Sequence, residues 1–279
     1  EIDFNFLEVN SDQKTLPDLH SVLIYNLDNL GDDFPIGKES AVAGRASAEY
    51  IETAVNLWKS GQIDAIVTAP INKKSINLAG YDFPGHTEYL ASLTDTKEFA
   101  MSFFAEKLRV ILLSTHVSLR DAIDLVKKEK LVELIKFTDR ELSNLLKRKI
   151  RIAVAGLNPH ASEGGMFGKE EANEIAPAVE ECQKKFGIDV SGAYSPDTIF
   201  LRAFRGEFDA VISCYHDQAT IAVKCLSFGE SVNVTLGLPI IRTSVDHGTA
   251  LDLAGAGKAS ANSLFAAVDA AIDMTQQRN

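Results

Sequence analysis

The 279-residue sequence has few cysteines, no long apolar run and a shortage of basic residues, and each shortage excludes a class of protein. Its three cysteines form no Cys-x-x-Cys pair, so a disulfide framework is not expected. No apolar run approaches the roughly 18–20 residues that span a bilayer. With 28 basic against 39 acidic residues, the net charge of −11 disfavours binding to nucleic acid or an anionic membrane surface. The sequence therefore predicts a soluble, cytoplasmic protein with no nucleic-acid or membrane partner.

Short runs of apolar and β-branched residues recur along the chain and predict β-strands. Hydrophobic residues make up 46% of the sequence and charged residues 24%, which is typical of a globular protein of one large or two small domains. Several runs are almost continuously apolar, as in strands covered on both faces. The predicted strands are 22–25, 65–68, 100–104, 110–114, 150–155, 210–214 and 232–235.

Helical periodicity separates these predicted strands. Apolar residues recur at three- and four-residue spacing in segments 41–59, 131–146, 170–186 and 260–277, and Ser260 is a candidate N-cap for the last of them. Alternation of strands and helices predicts an α/β fold with a largely parallel sheet. In such sheets ligands bind beyond the carboxyl ends of the strands, so the residues that follow each strand are the candidates for function.

Three predicted strands end at a histidine, namely His116, His160 and His216. A single histidine at a strand end is usually structural, but neighbouring parallel strands lie only about 4.8 Å apart, so their ends can converge. Three imidazoles at one point would suit a catalytic divalent metal with open positions for substrate. Asp217 is a candidate fourth ligand or substrate contact, and Glu163 is an alternative ligand.

Two further segments are candidate anion sites. Residues 85–88, Gly-His-Thr-Glu, begin a predicted helix, where the glycine allows an unusual backbone angle and the threonine can cap the helix. Free N–H groups at such a start can bind an anion, although an ordinary capped helix has the same pattern. Lys224, Asn233 and Arg242 lie near glycine-rich turns and can form an anion pocket, although they are also compatible with solvated surface charges.

The segment 244–260 is rich in small residues. It contains Gly255-x-Gly257, but Ser260 occupies the third glycine position, so the segment is a weak dinucleotide-binding fingerprint. Its small residues instead predict a loop whose backbone can approach a flat or phosphorylated ligand closely.

These polar strings, in this order, resemble the 4-hydroxythreonine-4-phosphate dehydrogenase family of pyridoxal phosphate (vitamin B6) biosynthesis. The matched region runs from about residue 39 to about residue 274, most of the chain. The segment 246–255 also resembles the cofactor loop of isocitrate and isopropylmalate dehydrogenases. The matching segments are 68–73, 85–88, 115–116, 156–160, 163–165, 196–198, 215–218, 232–239 and 242–257.

The resemblance implies a two-domain α/β fold like that of isocitrate and isopropylmalate dehydrogenases, with largely parallel sheets, flanking helices and an active site in the interdomain cleft. It places the first part of one domain at residues 1–110, a second domain with the dimer interface at 111–240, and a return to the first domain, with the cofactor loop, at 241–279. The family's amino-terminal Thr-x-Gly-Asp-Pro loop has no counterpart here, so we expect that an amino-terminal segment is missing, either from this sequence alone or from the protein itself.

The family pattern also implies roles for individual residues. Asp217 and Asp197 are the expected catalytic groups. The first candidate for the general base is Asp217, and the second is a chain of water molecules. The expected metal ligands are His116, His160 and His216, the last supplied by the partner subunit. The expected substrate contacts are His86, Thr87, Lys224, Asn233 and Arg242. The expected cofactor contacts are Asp246, His247, Gly248, Thr249, Asp252 and Gly255.

The implied reaction is the NAD- or NADP-linked oxidation of 4-phosphonooxy-L-threonine. A homodimer with one divalent metal per site, such as zinc, cobalt or magnesium, would convert this substrate to a 2-amino-3-oxo acid that loses CO2 to give 3-amino-2-oxopropyl phosphate. One alternative is a dehydrogenase of another phosphorylated four-carbon acid, such as 4-phospho-D-threonate or 4-phospho-D-erythronate. The other is a non-catalytic metal- or ligand-binding relative.

Overall fold

The computed structural model describes residues 6–9, 22–31, 34–227 and 230–278, with the exception of the Phe6 side chain. Strands and helices alternate along much of this part of the chain. Its strands are β1 Phe6–Val9, β2 Val22–Tyr25, β3 Ala65–Thr68, β4 Ala100–Ala105, β5 Leu108–Leu112, β6 Ile152–Ala155, β7 Val190–Tyr194, β8 Ala210–Ser213, β9 Val232–Leu236 and β10 Ile241–Ser244. Its α-helices are α1 Ala41–Lys59, α2 Lys73–Leu78, α3 His86–Leu93, α4 Leu119–Leu125, α5 Lys128–Leu146, α6 Ala176–Phe186, α7 Pro196–Phe204, α8 His216–Ser227 and α9 Asn262–Arg278.

The chain divides into two compact units. The first comprises Glu1–Ile66, Pro70–Asp95 and His247–Ala259, and the second comprises Val67–Ala69, Thr96–Asp246 and Ser260–Asn279. The segment after β10 that returns to the first unit therefore ends before α9, which belongs to the second unit. The domain boundaries expected at residues 110 and 240 stay predictions.

In the first unit, α1 packs closely on α2. Ser40 caps α1 by accepting a hydrogen bond from the backbone N–H of Ala43, at 3.1 Å. Ala48, Ile51 and Val55 form a buried stripe at helical spacing. A β-carbon on Gly44 would lie 1.9 Å from the carbonyl oxygen of Ser75, so the two helix backbones come together only because residue 44 is a glycine.

The second unit contains most of an eight-stranded sheet in the order β3-β10-β9-β4-β5-β8-β6-β7. The pairs β5–β8, β8–β6 and β6–β7 are parallel, whereas β10–β9, β9–β4 and β4–β5 are antiparallel. The α/β class with flanking helices is thus confirmed. The expected parallel pairing is found among the strands β5, β8, β6 and β7. Strands β4 and β5 pair in opposite directions because only Glu106 and Lys107 connect them, and parallel strands need a much longer crossover.

Helices cover both faces of this sheet. On one face, Phe103, Val110, Ala153 and Val211 join residues of α7 and α8 in a buried cluster. Side chains alternate between the faces of a strand, so Ile111, Ile152 and Ile212 lie on the opposite face and are fully buried there. Helix α5 contacts both α6 and α9, α6 contacts β7, and α9 contacts β9 and β10.

Most predicted elements are confirmed, with shifts at their ends. The predicted bounds of β2, β3 and α1 match the structure, whereas β5 runs from Leu108 to Leu112 instead of 110–114. The predicted helix 170–186 begins with a π-helical turn, Glu171–Ile175, before α6. The side chain of Ser260 accepts a hydrogen bond from Asn262 N at 3.3 Å, at the start of α9. Strands β1, β7 and β10 were not predicted.

No helix in the described ranges is both long and apolar enough to cross a lipid bilayer.

Candidate active site

His116 and His216 follow two neighbouring parallel strands, β5 and β8, and their imidazole rings lie together. The two ring centroids are 5.8 Å apart, and the ring planes are inclined by 42°. Both side chains line a cavity of about 190 Å³ together with Thr115, Leu119 and Tyr215. Two of the three predicted metal ligands are therefore adjacent within one chain.

Asp217 lies beside His216 and orients its ring. The carboxylate Oδ1 of Asp217 is 2.7 Å from Nδ1 of His216, which leaves Nε2 as the ring nitrogen directed elsewhere. This arrangement is typical of metal-binding histidines, in which a carboxylate holds the other ring nitrogen. Asp197 and Asp217 both line a second groove, of about 520 Å³, between α7 and α8. The hydroxyl of Ser195 donates to Oδ1 of Asp197 at 2.6 Å.

His160 lies on an unusual loop after β6. The turn Pro159–Gly165 has positive φ angles from His160 through Gly165, a backbone conformation that non-glycine residues rarely adopt in succession. The loop is anchored at its start, because the carboxylate of the buried Glu171 accepts hydrogen bonds from Asn158 N at 2.7 Å and from Asn158 Nδ2 at 2.9 Å. The exposed ring of His160 has its centroid 6.4 Å from that of Phe167.

The described residues of a single chain contain no group of three or more His, Cys, Asp or Glu side chains placed to hold a metal ion. One chain brings His116 and His216 together, and the participation of His160 in the same site stays a prediction. The neighbouring Cys214 is a poor ligand, because burial raises the pKa of its thiol to about 12 and keeps it neutral.

Arg242 is a buried cation on β10, which lies next to the edge strand β3 and away from β5 and β8 in the sheet. Its side chain is only 3% exposed. Nη2 donates to Thr68 Oγ1 at 2.8 Å, and Nη1 donates to Thr235 Oγ1 at 3.0 Å and to Asn233 Oδ1 at 3.5 Å. The predicted substrate contacts Asn233 and Arg242 are thus brought together on the antiparallel strands β9 and β10, where Asn233 pairs with Ser244, two residues beyond Arg242.

Lys224 and Asp246 also lie close together. Lys224 Nζ is 3.7 Å from Asp246 Oδ1, and the hydroxyl of Ser231 donates to Asp246 Oδ2 at 2.7 Å. The structure therefore places Asp246, an expected cofactor contact, beside Lys224, an expected substrate contact, in the second unit.

His86 and Thr87 are the first two residues of α3, in the first unit. The expected cap was wrong, since Gly85 occupies the N-cap position and Thr87 is a buried residue inside the first turn. The expected unusual angle at Gly85 was wrong as well, since its φ of 180° is extended backbone. The start of α3 nevertheless presents backbone N–H groups beside the side chains of His86 and Thr87.

The remaining expected cofactor contacts, His247, Gly248, Thr249, Asp252 and Gly255, lie on a loop of the first unit. Most of this loop is exposed, and Ala250 and Gly255 have left-handed backbone angles. A β-carbon on Gly37 would lie 3.0 Å from Leu251 O, so the loop packs closely on the segment around Gly37.

Three polar residues near the histidines were assigned no role from the sequence. Gln218, Ser114 and Glu171 are buried, and each hydrogen-bonds to the backbone of a segment that leads to a histidine. Gln218 belongs to the segment 215–218, which already resembled the family, and Ser114 directly precedes the Thr115-His116 pair. Their closeness to the histidines in the sequence was the signal that could have identified them.

Comparison with known proteins identifies relatives that match most of the chain. A relative from Desulfosudis oleivorans, "4-hydroxythreonine-4-phosphate dehydrogenase", is 47% identical over 238 residues, covering 85% of this chain and 70% of the relative. A relative from Oceanobacillus iheyensis, "Putative D-threonate 4-phosphate dehydrogenase", is 42% identical over 276 residues, covering 98% of this chain and 83% of the relative. The crystal structure of 4-hydroxythreonine-4-phosphate dehydrogenase from Klebsiella pneumoniae matches 92% of this chain and 77% of its own, with a TM-score of 0.84 and 42% identity.

The fold and these relatives define the chain as a dehydrogenase, an oxidoreductase with an α/β architecture, and favour an enzyme over a non-catalytic relative. The family model described as "Pyridoxal phosphate biosynthetic protein PdxA" matches residues 2–271. The chain belongs to the PdxA family.

Proposed function

We propose that this dehydrogenase oxidises the C3 hydroxyl of 4-phosphonooxy-L-threonine. The hydrogen on C3 leaves as hydride to NAD or NADP, and the hydroxyl proton leaves to a base. The resulting 2-amino-3-oxo acid loses CO2 and takes up a proton to give 3-amino-2-oxopropyl phosphate. The observation that carries this proposal is the His116–His216 pair beside Asp217, in a chain whose Desulfosudis relative bears the name of this activity.

The charged groups of the substrate need cations and N–H donors. Arg242 Nη1 donates one hydrogen bond to Asn233 Oδ1 at 3.5 Å, and a guanidinium can bind a phosphate or carboxylate in a bidentate manner. Lys224 adds a point charge, which Asp246 holds in place. We propose His86 and Thr87 as further substrate contacts, since the start of α3 offers N–H groups and a helix dipole favourable to an anion.

The histidines fit a divalent metal such as zinc, cobalt or magnesium. Imidazole nitrogen is a preferred ligand of zinc and cobalt, and the Asp217 contact to Nδ1 of His216 leaves Nε2 for coordination. His116, His160 and His216 would hold the metal, which when bound polarises the substrate oxygen at C3 and stabilises negative charge there. Asp217 and Asp197 are the candidate proton acceptors, because both carboxylates line one groove beside His216.

We further propose a homodimer in which His160 and His216 of each metal site come from different subunits. Apolar side chains lie exposed next to the histidines, with Leu119 of α4 61% exposed and Ile221 of α8 64% exposed. A second copy that covers these side chains would remove apolar surface from water, which is the main driving force for such association.

The loop 247–255, together with Asp246, is the proposed site for NAD or NADP. Left-handed backbone at Ala250 and Gly255 and the small residues around them allow the main chain to approach a phosphorylated ligand. We expect a cytoplasmic location, where the free thiols of Cys182, Cys214 and Cys225 stay reduced.

The direct test follows NADH absorbance with 4-phosphonooxy-L-threonine as substrate. We expect NADH formation that a chelator abolishes and that added zinc, cobalt or magnesium restores. Absence of NADH or NADPH formation with every one of these metals would contradict the proposal. The matched control replaces the substrate with unphosphorylated 4-hydroxy-L-threonine, which should react far more slowly because it lacks the phosphate.

A second candidate substrate is 4-phospho-D-threonate. The name of the Oceanobacillus relative favours it, because that relative matches 98% of this chain. The two substrates differ at C2, where one carries an amino group and the other a hydroxyl. Measuring kcat/KM for both substrates with the same preparation decides between them, and the larger value identifies the function.

A further inference from the structure

Two buried polar side chains join the strand ends that lead to the three histidines. Gln218 is 9% exposed, and both the oxygen and the nitrogen of its side-chain amide form hydrogen bonds. Its Oε1 accepts a hydrogen bond from Cys214 N at 2.7 Å, and its Nε2 donates to Gly156 O at 2.8 Å. Ser114 is 5% exposed, and its hydroxyl donates to Cys214 O at 2.9 Å.

These hydrogen bonds lie just beyond the carboxyl ends of three strands. Strands β5, β8 and β6 are neighbours in the sheet, and their regular pairing stops at Leu112, Ser213 and Ala155. Just beyond that point Leu113 N still donates to Ser213 O at 2.9 Å, and the buried backbone groups that follow need other partners. Gln218 supplies partners between the ends of β8 and β6, and Ser114 supplies one between the ends of β5 and β8.

The three segments that Gln218 and Ser114 join by hydrogen bonds are the segments that carry the histidines. Ser114 lies two residues before His116, Cys214 lies two residues before His216, and Gly156 lies four residues before His160. A shift of any segment would therefore move one histidine relative to the others. Metal sites need their ligands placed within a few tenths of an ångström, so the groups that orient the ligands contribute to affinity without touching the metal.

We propose that Gln218 and Ser114 are positioning residues for the histidine metal site. They act by fixing the ends of β5, β6 and β8 through hydrogen bonds to the backbone. The inference rests on the proposed metal function, and it holds whether the three histidines come from one chain or from two, because these hydrogen bonds fix the histidine segments of every subunit.

The test measures zinc affinity of the metal-free, full-length chain by competition with a chromophoric chelator. Gln218→Met keeps the volume of the side chain and removes both hydrogen bonds, and Ser114→Ala removes one. We expect zinc affinity to fall about 10- to 100-fold for Gln218→Met and by a smaller factor for Ser114→Ala. The melting temperature of the metal-free protein is recorded for each variant.

Two control variants remove comparable bonds away from the histidines. The fully buried Ser102 donates to Val234 O at 2.8 Å, and Gln183 donates through Nε2 to Val190 O at 2.7 Å. Ser102→Ala and Gln183→Met should lower the melting temperature and leave zinc affinity at the wild-type value. This separates a positioning role from a loss of general stability.

Each outcome bears on the proposal. Wild-type zinc affinity in both Gln218→Met and Ser114→Ala would overturn the inference and leave the metal function intact. An equal loss of affinity in the control variants would overturn it as well, because stability alone would then explain the effect. Absence of zinc, cobalt and magnesium binding by the wild-type protein would overturn the metal function itself. If Gln218→Met fails to fold, Ser114→Ala and its control Ser102→Ala decide the question.

Discussion

At the scale of single residues, the two cations proposed to bind substrate are held in different ways. Arg242 is buried, and the hydroxyls of Thr68 and Thr235 fix its guanidinium in one orientation. Such fixation lowers the entropy that is lost when an anion binds. Lys224 is half exposed and is restrained by one carboxylate, that of Asp246, at 3.7 Å. In the proposed function, Arg242 would therefore orient the bound anion and Lys224 would add attractive charge.

The variant Lys224→Met tests the assignment of this cation to the substrate. We expect the KM for the phosphorylated substrate to rise roughly tenfold or more, about 1.4 kcal/mol, because one attractive charge is removed. The KM for NAD should stay within about twofold of wild type. Steady-state kinetics with each ligand varied in turn measures both values.

The control for this prediction is Lys184→Met, which removes an exposed lysine paired with Glu180 on α6. It should change neither KM. A rise in the KM for NAD as large as that for the substrate would assign Lys224 to the cofactor instead.

At the scale of elements, one carboxylate joins the starts of β6 and β8. Asp209 directly precedes β8 and accepts hydrogen bonds from Arg151 N at 2.8 Å and from Arg148 Nη2 at 2.7 Å. Burial raises the pKa of Asp209, but the hydrogen bonds from Arg148 and Arg151 outweigh it and lower the pKa to about 2. The folded state therefore binds the ionised form of Asp209 more strongly than the unfolded state does.

Asp209 should make stability depend on pH in the acid range. Its pKa is lowered on folding, so its contribution is complete above about pH 4 and disappears as the pH falls through about 2. The shift corresponds to about 2 kcal/mol. We expect Asp209→Asn to be less stable than wild type at neutral pH by at least this amount, and the difference to shrink toward pH 2.

Urea unfolding of both proteins between about pH 2 and pH 7 measures this difference. Asp273→Asn, at an exposed position on α9, is the control and should follow the wild-type curve. A difference between Asp209→Asn and wild type that stays constant with pH would show that the ion pairs do not provide the stability.

The contact between α1 and α2 depends on one missing methyl group. Gly44→Ala would place a β-carbon 1.9 Å from the Ser75 carbonyl oxygen, and a backbone atom cannot turn aside as a side chain can. We expect a loss of about 1–3 kcal/mol or more, although alanine is the better helix former by about 1 kcal/mol. Thermal unfolding measures it, with Gly31→Ala, where no atom lies within 4 Å, as the near-neutral control. Equal melting temperatures for the two variants would contradict the close packing.

At the scale of the whole molecule, the proposed site would combine residues of two chains. Within the described ranges no triad of metal-binding side chains lies in one subunit, although His116 and His216 are neighbours. Exposed Leu119 and Ile221 lie on the elements that begin next to these histidines, so a partner that covers them would also reach the metal ligands. Oligomerisation and catalysis would then be linked.

Mixed dimers test the shared site. His160→Ala and His216→Ala are each expected to be inactive, and refolding them together yields about half mixed dimers. If each site takes His160 from one chain and His216 from the other, a mixed dimer has one intact site of two, so about a quarter of wild-type activity should return.

Each variant refolded alone is the control and should stay inactive. If all three histidines come from one chain, every site in a mixed dimer carries a lesion. Activity that stays at the level of the separate variants, with heterodimer formation confirmed, would then overturn the shared site.

The sequence by itself determined the α/β class, seven of the strands and the positions of the three histidines. Buried strands such as β6 and β8 are continuous apolar runs, and such runs are visible without a structure. The strands it missed lack that pattern. β7 contains Ser191 and Gly192, and β10 contains Arg242, Thr243 and Ser244.

Only the tertiary structure decided how these polar residues are used. Arg242 can lie in a buried strand because Thr68, about 170 positions earlier in the sequence, and Thr235 supply acceptors for its N–H groups. Gln218 links the ends of β6 and β8 by hydrogen bonds because these ends lie side by side, although they are about 60 residues apart in the chain. Hydrogen-bond partners of this kind depend on which strands are neighbours, and strand order is set by the packing of the whole sheet, which local sequence patterns do not specify.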